Sequence, residues 1–166
     1  YAIIIILVCN AIIISFLESF IPIPIPVPGV KLGLGNIITL IAIAFLGFKD
    51  VLFIVVIRSF VVAFLTRGVL MLPFSLVGGL LSALIMWFLY KKMFRIFSLK
   101  GISMAGAIFH NTGQILVAAA LLREMIIIYY LPVLLVSALI TGFITGSIAE
   151  IAIKEAKEKG IFPDEF

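Results

Sequence analysis

Three polar side chains lie close together in an otherwise apolar stretch of the sequence, namely His110, Asn111 and Gln114. Their spacing of three and four residues places all three on one face if the stretch is helical. The stretch is long enough to cross a bilayer, whose hydrocarbon interior cannot form hydrogen bonds with these groups. The cluster therefore predicts a protein-lined cavity that holds a polar small molecule.

Arg58 lies in a second apolar segment. An arginine at mid-span costs about 2.5–3.5 kcal/mol on insertion scales, so it needs a compensating partner. One interpretation is a structural pair with Glu18 or with a helix carbonyl. The other is that its planar guanidinium binds a carboxylate or phosphate on a ligand.

Further candidate binding residues lie towards the same side of the predicted bundle, namely Glu18, Lys31 and Asn36. Each also has a simpler interpretation, as an interfacial carboxylate, a solvated lysine or a helix cap. His110 could be a packing residue, or it could relay a proton together with Glu18. We predict no metal site, because the chain has no second histidine and Cys9 is expected at the opposite depth.

The composition is that of an integral membrane protein. Of 166 residues, 64% are hydrophobic and only 12% are charged, and the mean hydropathy is +1.39, whereas soluble domains are nearer half apolar and a quarter charged. The hydropathy pattern predicts an all-α, six-helix bundle forming a single membrane domain over residues 1–166. The predicted spans are 1–21, 36–48, 51–66, 72–90, 102–122 and 125–153, and Lys49 and Asp50 are predicted to form a tight turn between the second and third spans.

Loop composition predicts the orientation of this bundle. Eight of the twelve cations fall on one side, which the positive-inside rule assigns to the cytoplasm together with both termini. Residues 22–35 alternate prolines with apolar residues and then carry three glycines, so they should form a structured outer loop covering the cavity. The net charge of +4 lies in these loops and does not indicate nucleic-acid binding.

Five motifs resemble the Gx transporter family, often labelled heptaprenyl diphosphate synthase component I. The likeness covers nearly the whole chain. The motifs are Glu18–Pro24 (ESFIPIP), Pro28–Asn36 (PGVKLGLGN), Gly47–Asp50 (GFKD), Ser75–Gly79 (SLVGG) and Gly106–Gln114 (GAIFHNTGQ).

The chain is similar, more distantly, to the S components of energy-coupling factor (ECF) transporters. That resemblance implies a multi-pass protein of the prokaryotic plasma membrane that captures a polar or anionic micronutrient from outside. It implies docking to a membrane T component driven by two ATPases. S components carry an Ala-xxx-Ala docking pattern in the first helix, which Ala11 and Ser15 only approximate here. Close packing within the bundle is the alternative role for these small residues.

The synthase label leads to a different expectation. Prenyl diphosphate chemistry needs clustered carboxylates that hold magnesium, yet this chain has only two aspartates, Asp50 and Asp164, far apart. We therefore expect the chain not to be an enzyme and to need no cofactor. A non-catalytic membrane subunit of isoprenoid diphosphate synthesis remains the alternative to an importer component. A proton-coupled transporter acting without an ATPase is a third interpretation.

Overall fold

The computed structural model describes residues 2–21, 31–66 and 69–161, and this part of the chain is all-helical. Six α-helices follow one another in the described residues, and two 3₁₀ turns, Val69–Met71 and Met125–Tyr130, precede α4 and α6. The α-helices are α1 (Ala2–Glu18), α2 (Asn36–Phe45), α3 (Phe48–Thr66), α4 (Leu72–Met93), α5 (Leu99–Leu122) and α6 (Leu131–Glu158).

Three segments are long and apolar enough to cross a membrane: Val69–Met93, Leu99–Leu122 and Met125–Glu158. Helix α3 has the length, but Lys49, Asp50 and Arg58 make it more polar, while α1 and α2 are shorter apolar helices. Many large apolar side chains cover the outside of the bundle, which is the surface that lipid would contact. The all-helical, membrane-type architecture is therefore confirmed, whereas six crossings and the cytoplasmic termini stay predictions.

Two connections differ from the sequence-based expectation. Lys49 and Asp50 do not form a turn but lie in the first turn of α3, after a bend at Leu46 and Gly47. An acidic side chain is favourable there because the amide groups at a helix N-terminus carry partial positive charge. Residues 125–130 form a 3₁₀ turn, and α6 starts only at Leu131, with Pro132 in its first turn.

Helix α5 packs between α4 and α6, and small residues let α6 approach it closely. A Cβ added to Gly142 would lie 2.5 Å from Met104 Cα, and one on Gly146 would lie 2.7 Å from Lys100 Cα. Between them, Ser103 and Thr145 join their hydroxyls at 2.9 Å. The Gly142–Gly146 spacing thus serves packing inside the bundle.

Helix α2 occupies the middle of the bundle. Its first eight residues, 36–43, are all buried, and the helix contacts each of the other five α-helices. Because α2 starts inside the bundle, the preceding residues 31–35 must enter between the other helices. This entry brings their backbone against polar side chains of α1, α3 and α5, where the candidate site lies.

Candidate functional site

A small cavity lies where residues 31–35 meet the end of α1, the start of α4 and the middle of α3 and α5. Its volume is about 10 Å³, measured as the space open to the centre of a water molecule, which is room for about one water. The described residues that line it are Ser15, Glu18, Lys31, Gly33, Gly35, Arg58, Ser75 and His110. The cavity is thus a closed polar site inside an apolar bundle.

Arg58 is the central cation of this site. Its side chain is 3% exposed, and no carboxylate of the described residues lies within the 4.0 Å ion-pair distance of its guanidinium. The Nε atom is buried and has no hydrogen-bond partner there. The structural pair with Glu18 considered from the sequence is therefore not formed in this conformation.

Glycines give the guanidinium its space. A Cβ on Gly79 of α4 would lie 3.0 Å from Nη2 of Arg58, and a Cβ on Gly35 would overlap Nη1. A Cβ on Gly35 would also lie 2.5 Å from Ser15 Oγ. Residues 31–35 are called the entry segment below. Arg58 fits between the entry segment and α4 only because Gly35 and Gly79 lack a side chain.

Two side chains hold the entry segment over the cavity. The Gly33 amide donates to Glu18 Oε1 at 2.5 Å, and the Lys31 amide donates to Gln114 Oε1 at 3.1 Å. Glu18 and Gln114 are both buried, so each bond satisfies a backbone donor that lipid or protein would otherwise leave unpaired. Glu18 and Gln114 thus fix the closed position of residues 31–33.

His110 also lines the cavity and is 4% exposed. A Cβ added to Gly33 or to Gly78 would lie 3.3 Å from a carbon of the imidazole ring, so the ring packs directly against both glycines. Its Nδ1 atom is buried and has no hydrogen-bond partner among the described residues. An imidazole nitrogen at the cavity wall without a partner can serve a ligand or a buried water.

The two predicted asparagines have different positions. Asn36 is 1% exposed next to Gly33, and neither of its side-chain polar atoms has a partner among the described residues. Asn111 donates from Nδ2 to the Leu134 carbonyl at 3.0 Å, so it ties α5 to α6. Asn36 therefore lies beside the cavity-lining Gly33 but does not itself line the cavity, and Asn111 contributes to helix packing.

The charges around the cavity are unequal. Arg58 and Lys31 contribute two positive charges, and Glu18 contributes one negative charge when it is ionised. A low-dielectric site with excess positive charge attracts an anion, and a guanidinium binds a carboxylate or phosphate through two parallel hydrogen bonds. The arrangement is suited to binding a small anion.

The structure also places residues that the sequence analysis did not assign to the site. Ser15, Gly33, Gly35 and Ser75 line the cavity. Ser15 lies three residues before Glu18 and thus on the same face of α1, a spacing that could have identified it. The glycines contribute backbone amides and space, which residue type alone does not reveal.

Ala11 and Ser15, proposed above as a docking pair, are 1% and 6% exposed. Both side chains face the inside of the bundle, and Ser15 borders the cavity. In this conformation the surface that α1 offers to another protein lies on its other faces. Residues 22–30 of the predicted covering loop lie outside the described residues.

The described residues contain no group of three His, Cys, Asp or Glu side chains placed to hold a metal ion. Glu18 and His110 are the only such residues lining the cavity among them. The donor set thus matches hydrogen bonding and charge pairing with an organic anion better than it matches metal binding.

One comparison with known proteins decides the family. The family model described as heptaprenyl diphosphate synthase component I matches residues 7–152. The chain belongs to the heptaprenyl diphosphate synthase component I family. The matched region includes every residue of the cavity, so the site lies within the part that defines this family. No curated protein and no solved structure matches the chain.

Proposed function

We propose that the chain is a substrate-binding membrane component of an ATP-driven importer of the ECF type. In this role it captures a polar or anionic small molecule from the outer face of a prokaryotic plasma membrane. The observation that carries the proposal is a buried Arg58 with no carboxylate of the described residues within ion-pair distance, in a cavity that Lys31 and His110 also line. A buried guanidinium in this state is stabilised when an anion enters.

Capture requires the site to open, because the closed cavity has room for about one water. Opening would break the bonds from Glu18 to the Gly33 amide and from Gln114 to the Lys31 amide. The ligand would then contact Arg58, His110 and the amides released from residues 31–33. A molecule lacking the matching polar groups would leave several buried donors unpaired, which gives selectivity.

The six-span topology with cytoplasmic termini belongs to this proposal. It places the cavity on the outer side, because Glu18, residues 31–35 and Ser75 all lie at the helix ends opposite the basic connection between α4 and α5. The chain supplies binding and no catalysis, and needs no resident cofactor. Transport then depends on partners, namely a T component and two ATPases.

The family description supports a second candidate, a non-catalytic membrane subunit of heptaprenyl diphosphate synthesis. In that role the same cations would bind the anionic end of an isoprenoid diphosphate. The chain's two aspartates, Asp50 and Asp164, are far apart in the sequence, so magnesium-dependent condensation would have to occur on another subunit.

Affinity purification from the native membrane distinguishes the two functions. Recovery with a T component and ATPases supports import, and recovery with an aspartate-rich synthase supports the alternative. Native mass spectrometry of the purified chain tests capture itself, and we expect a retained small anion that the Arg58→Gln variant lacks. Uptake by the chain alone in liposomes would contradict an ATP-driven importer and favour a proton-coupled transporter.

A further inference from the structure

We propose that the connection between α4 and α5 is a binding site for anionic phospholipid headgroups. This basic connection consists of residues 91–100, with the sequence KKMFRIFSLK. It lies at the end of the bundle away from the cavity, and its role does not depend on which small molecule the cavity holds.

The connection combines free cations with exposed apolar side chains. Lys91, Lys92 and Arg95 are exposed, and none forms an ion pair with a described carboxylate. Between and after them, Phe94 is 51% exposed and Ile96 is 74% exposed. Cations that alternate with large apolar groups fit a surface with phosphates above and acyl chains below.

Three further lysines at this end of the bundle differ in one respect. Lys100 lies 3.5 Å from Glu150, Lys154 lies 3.9 Å from Glu158, and Lys159 lies 2.8 Å from Glu155. These cations have a carboxylate neighbour within the chain. Lys91, Lys92 and Arg95 have no such neighbour among the described carboxylates, so an anion from outside the chain can pair with them.

Tyr90, next to the cations, indicates the depth that we propose for the connection, whereas the Trp87 indole nitrogen is buried inside the protein. Trp87 packs against Phe48 with ring centroids 4.8 Å apart, and Tyr90 packs against Phe94 at 4.9 Å. Tryptophan and tyrosine concentrate at the level of the lipid headgroups. Lys91, Lys92 and Arg95 follow directly, so they stand where phosphates of the same leaflet are found.

The backbone of the connection is ordered by hydrogen bonds at both ends. The Ile96 and Phe97 amides donate to the Met93 carbonyl at 2.9 and 3.0 Å, and the Gly101 amide donates to Ser98 Oγ at 3.2 Å. Lys91 and Lys92 thus lie in the last turn of α4, and Arg95 lies in the compact turn that follows it. This favours a lipid over an acidic protein partner, because the exposed apolar residues beside the cations need an acyl environment.

The test measures lipid binding by the full chain in a neutral detergent. Phosphatidylglycerol or phosphatidylcholine is added, bound lipid is counted by native mass spectrometry, and the thermal unfolding midpoint is recorded with each lipid. We expect wild type to bind phosphatidylglycerol preferentially and to unfold at a higher temperature with it. Each cation near a membrane surface contributes roughly fivefold, so the triple variant Lys91→Gln, Lys92→Gln, Arg95→Gln should bind roughly a hundredfold more weakly.

Lys154→Gln is the matched control, because Lys154 is an exposed lysine at the same end with Glu158 beside it. The Lys154→Gln variant should retain the preference for phosphatidylglycerol. When no lipid is added, the triple variant and wild type should have the same unfolding midpoint. The proposal is overturned if wild type binds the two lipids equally well, which is the result expected of a segment that docks to a protein. It is equally overturned if the triple variant keeps its affinity or if Lys154→Gln loses as much.

Discussion

Glu18 and Arg58 line the same buried cavity, yet Glu18 accepts a hydrogen bond from the Gly33 amide instead of forming an ion pair with Arg58. The carboxylate therefore stabilises the closed entry segment, and the guanidinium is left available to an anion. Two oppositely charged residues that would be expected to pair therefore have separate roles. Glu18 holds the entry segment, and Arg58 is available to bind an anion.

Replacing Arg58 by methionine separates ligand binding from structural support. We expect the retained small anion to be lost, because a buried charged contact contributes about 2–5 kcal/mol. Thermal stability of the ligand-free protein should stay equal or rise, since a buried charge without a partner is removed. A structural ion pair would give the reverse pattern, a fall in stability with the ligand retained. Arg95→Met, at an exposed arginine away from the cavity, is the control.

Replacing Gln114 by leucine should loosen the entry segment. Leucine has a similar volume but cannot accept the hydrogen bond from the Lys31 amide. A neutral hydrogen bond contributes about 0.5–1.5 kcal/mol, so amide hydrogen exchange at Lys31 should accelerate roughly threefold to tenfold. Asn10→Leu removes only a local contact of an exposed side chain with the Ile6 carbonyl and should leave exchange at Lys31 unchanged. Equal exchange rates in wild type and Gln114→Leu would show that this bond does not hold the segment.

Much of the helical arrangement follows from the sequence because apolar length and turn residues act locally. Five of the six predicted spans begin and end within three residues of an α-helix, whereas the sixth was predicted to begin at residue 125 and α6 begins at Leu131. The error at Lys49 and Asp50 has a local cause too, since a charged pair was interpreted as a turn although Asp50 stabilises the start of α3. Length did not reveal that α2, with ten residues, would lie in the centre of the bundle.

The candidate site was less predictable, since it depends on contacts between residues far apart in the chain. Helical spacing placed His110 and Gln114 on one face, and both lie at or beside the cavity. The same spacing did not distinguish Asn111 from these two residues, although Asn111 donates to the Leu134 carbonyl and does not line the cavity. Nor could spacing show that Glu18 would bind the Gly33 amide, because that contact depends on how residues 31–35 enter the bundle.

Gly35→Ala should abolish ligand retention by displacing Arg58. The added methyl would overlap the guanidinium and lie 2.5 Å from Ser15 Oγ, so the arginine must move. Native mass spectrometry of the purified variant measures the retained ligand. Gly47→Ala is the matched control, because its methyl would meet only Asp50 Oδ2 at 3.6 Å. Full ligand occupancy in Gly35→Ala would mean that Arg58 does not need its observed position.

Gly142→Ala should destabilise the bundle without acting on the cavity. Its methyl would lie 2.5 Å from Met104 Cα, where backbone rather than a flexible side chain must give way. Overpacking of this kind costs about 1–3 kcal/mol and should lower the thermal unfolding midpoint by several degrees. Gly47→Ala again serves as the comparison. A midpoint equal to that of wild type would show that α5 and α6 can separate at little cost.

His110 and Asn111 are neighbours in sequence but should respond differently to substitution. His110→Ala removes a cavity-lining ring whose Nδ1 has no partner, so ligand retention should fall while the unfolding midpoint changes little. Asn111→Leu removes the donor to the Leu134 carbonyl, and loss of such a neutral hydrogen bond costs about 0.5–1.5 kcal/mol of stability. Its ligand retention at low temperature should match wild type. Loss of ligand with unchanged stability in Asn111→Leu would return Asn111 to the binding site and require α5 to rotate when the site opens.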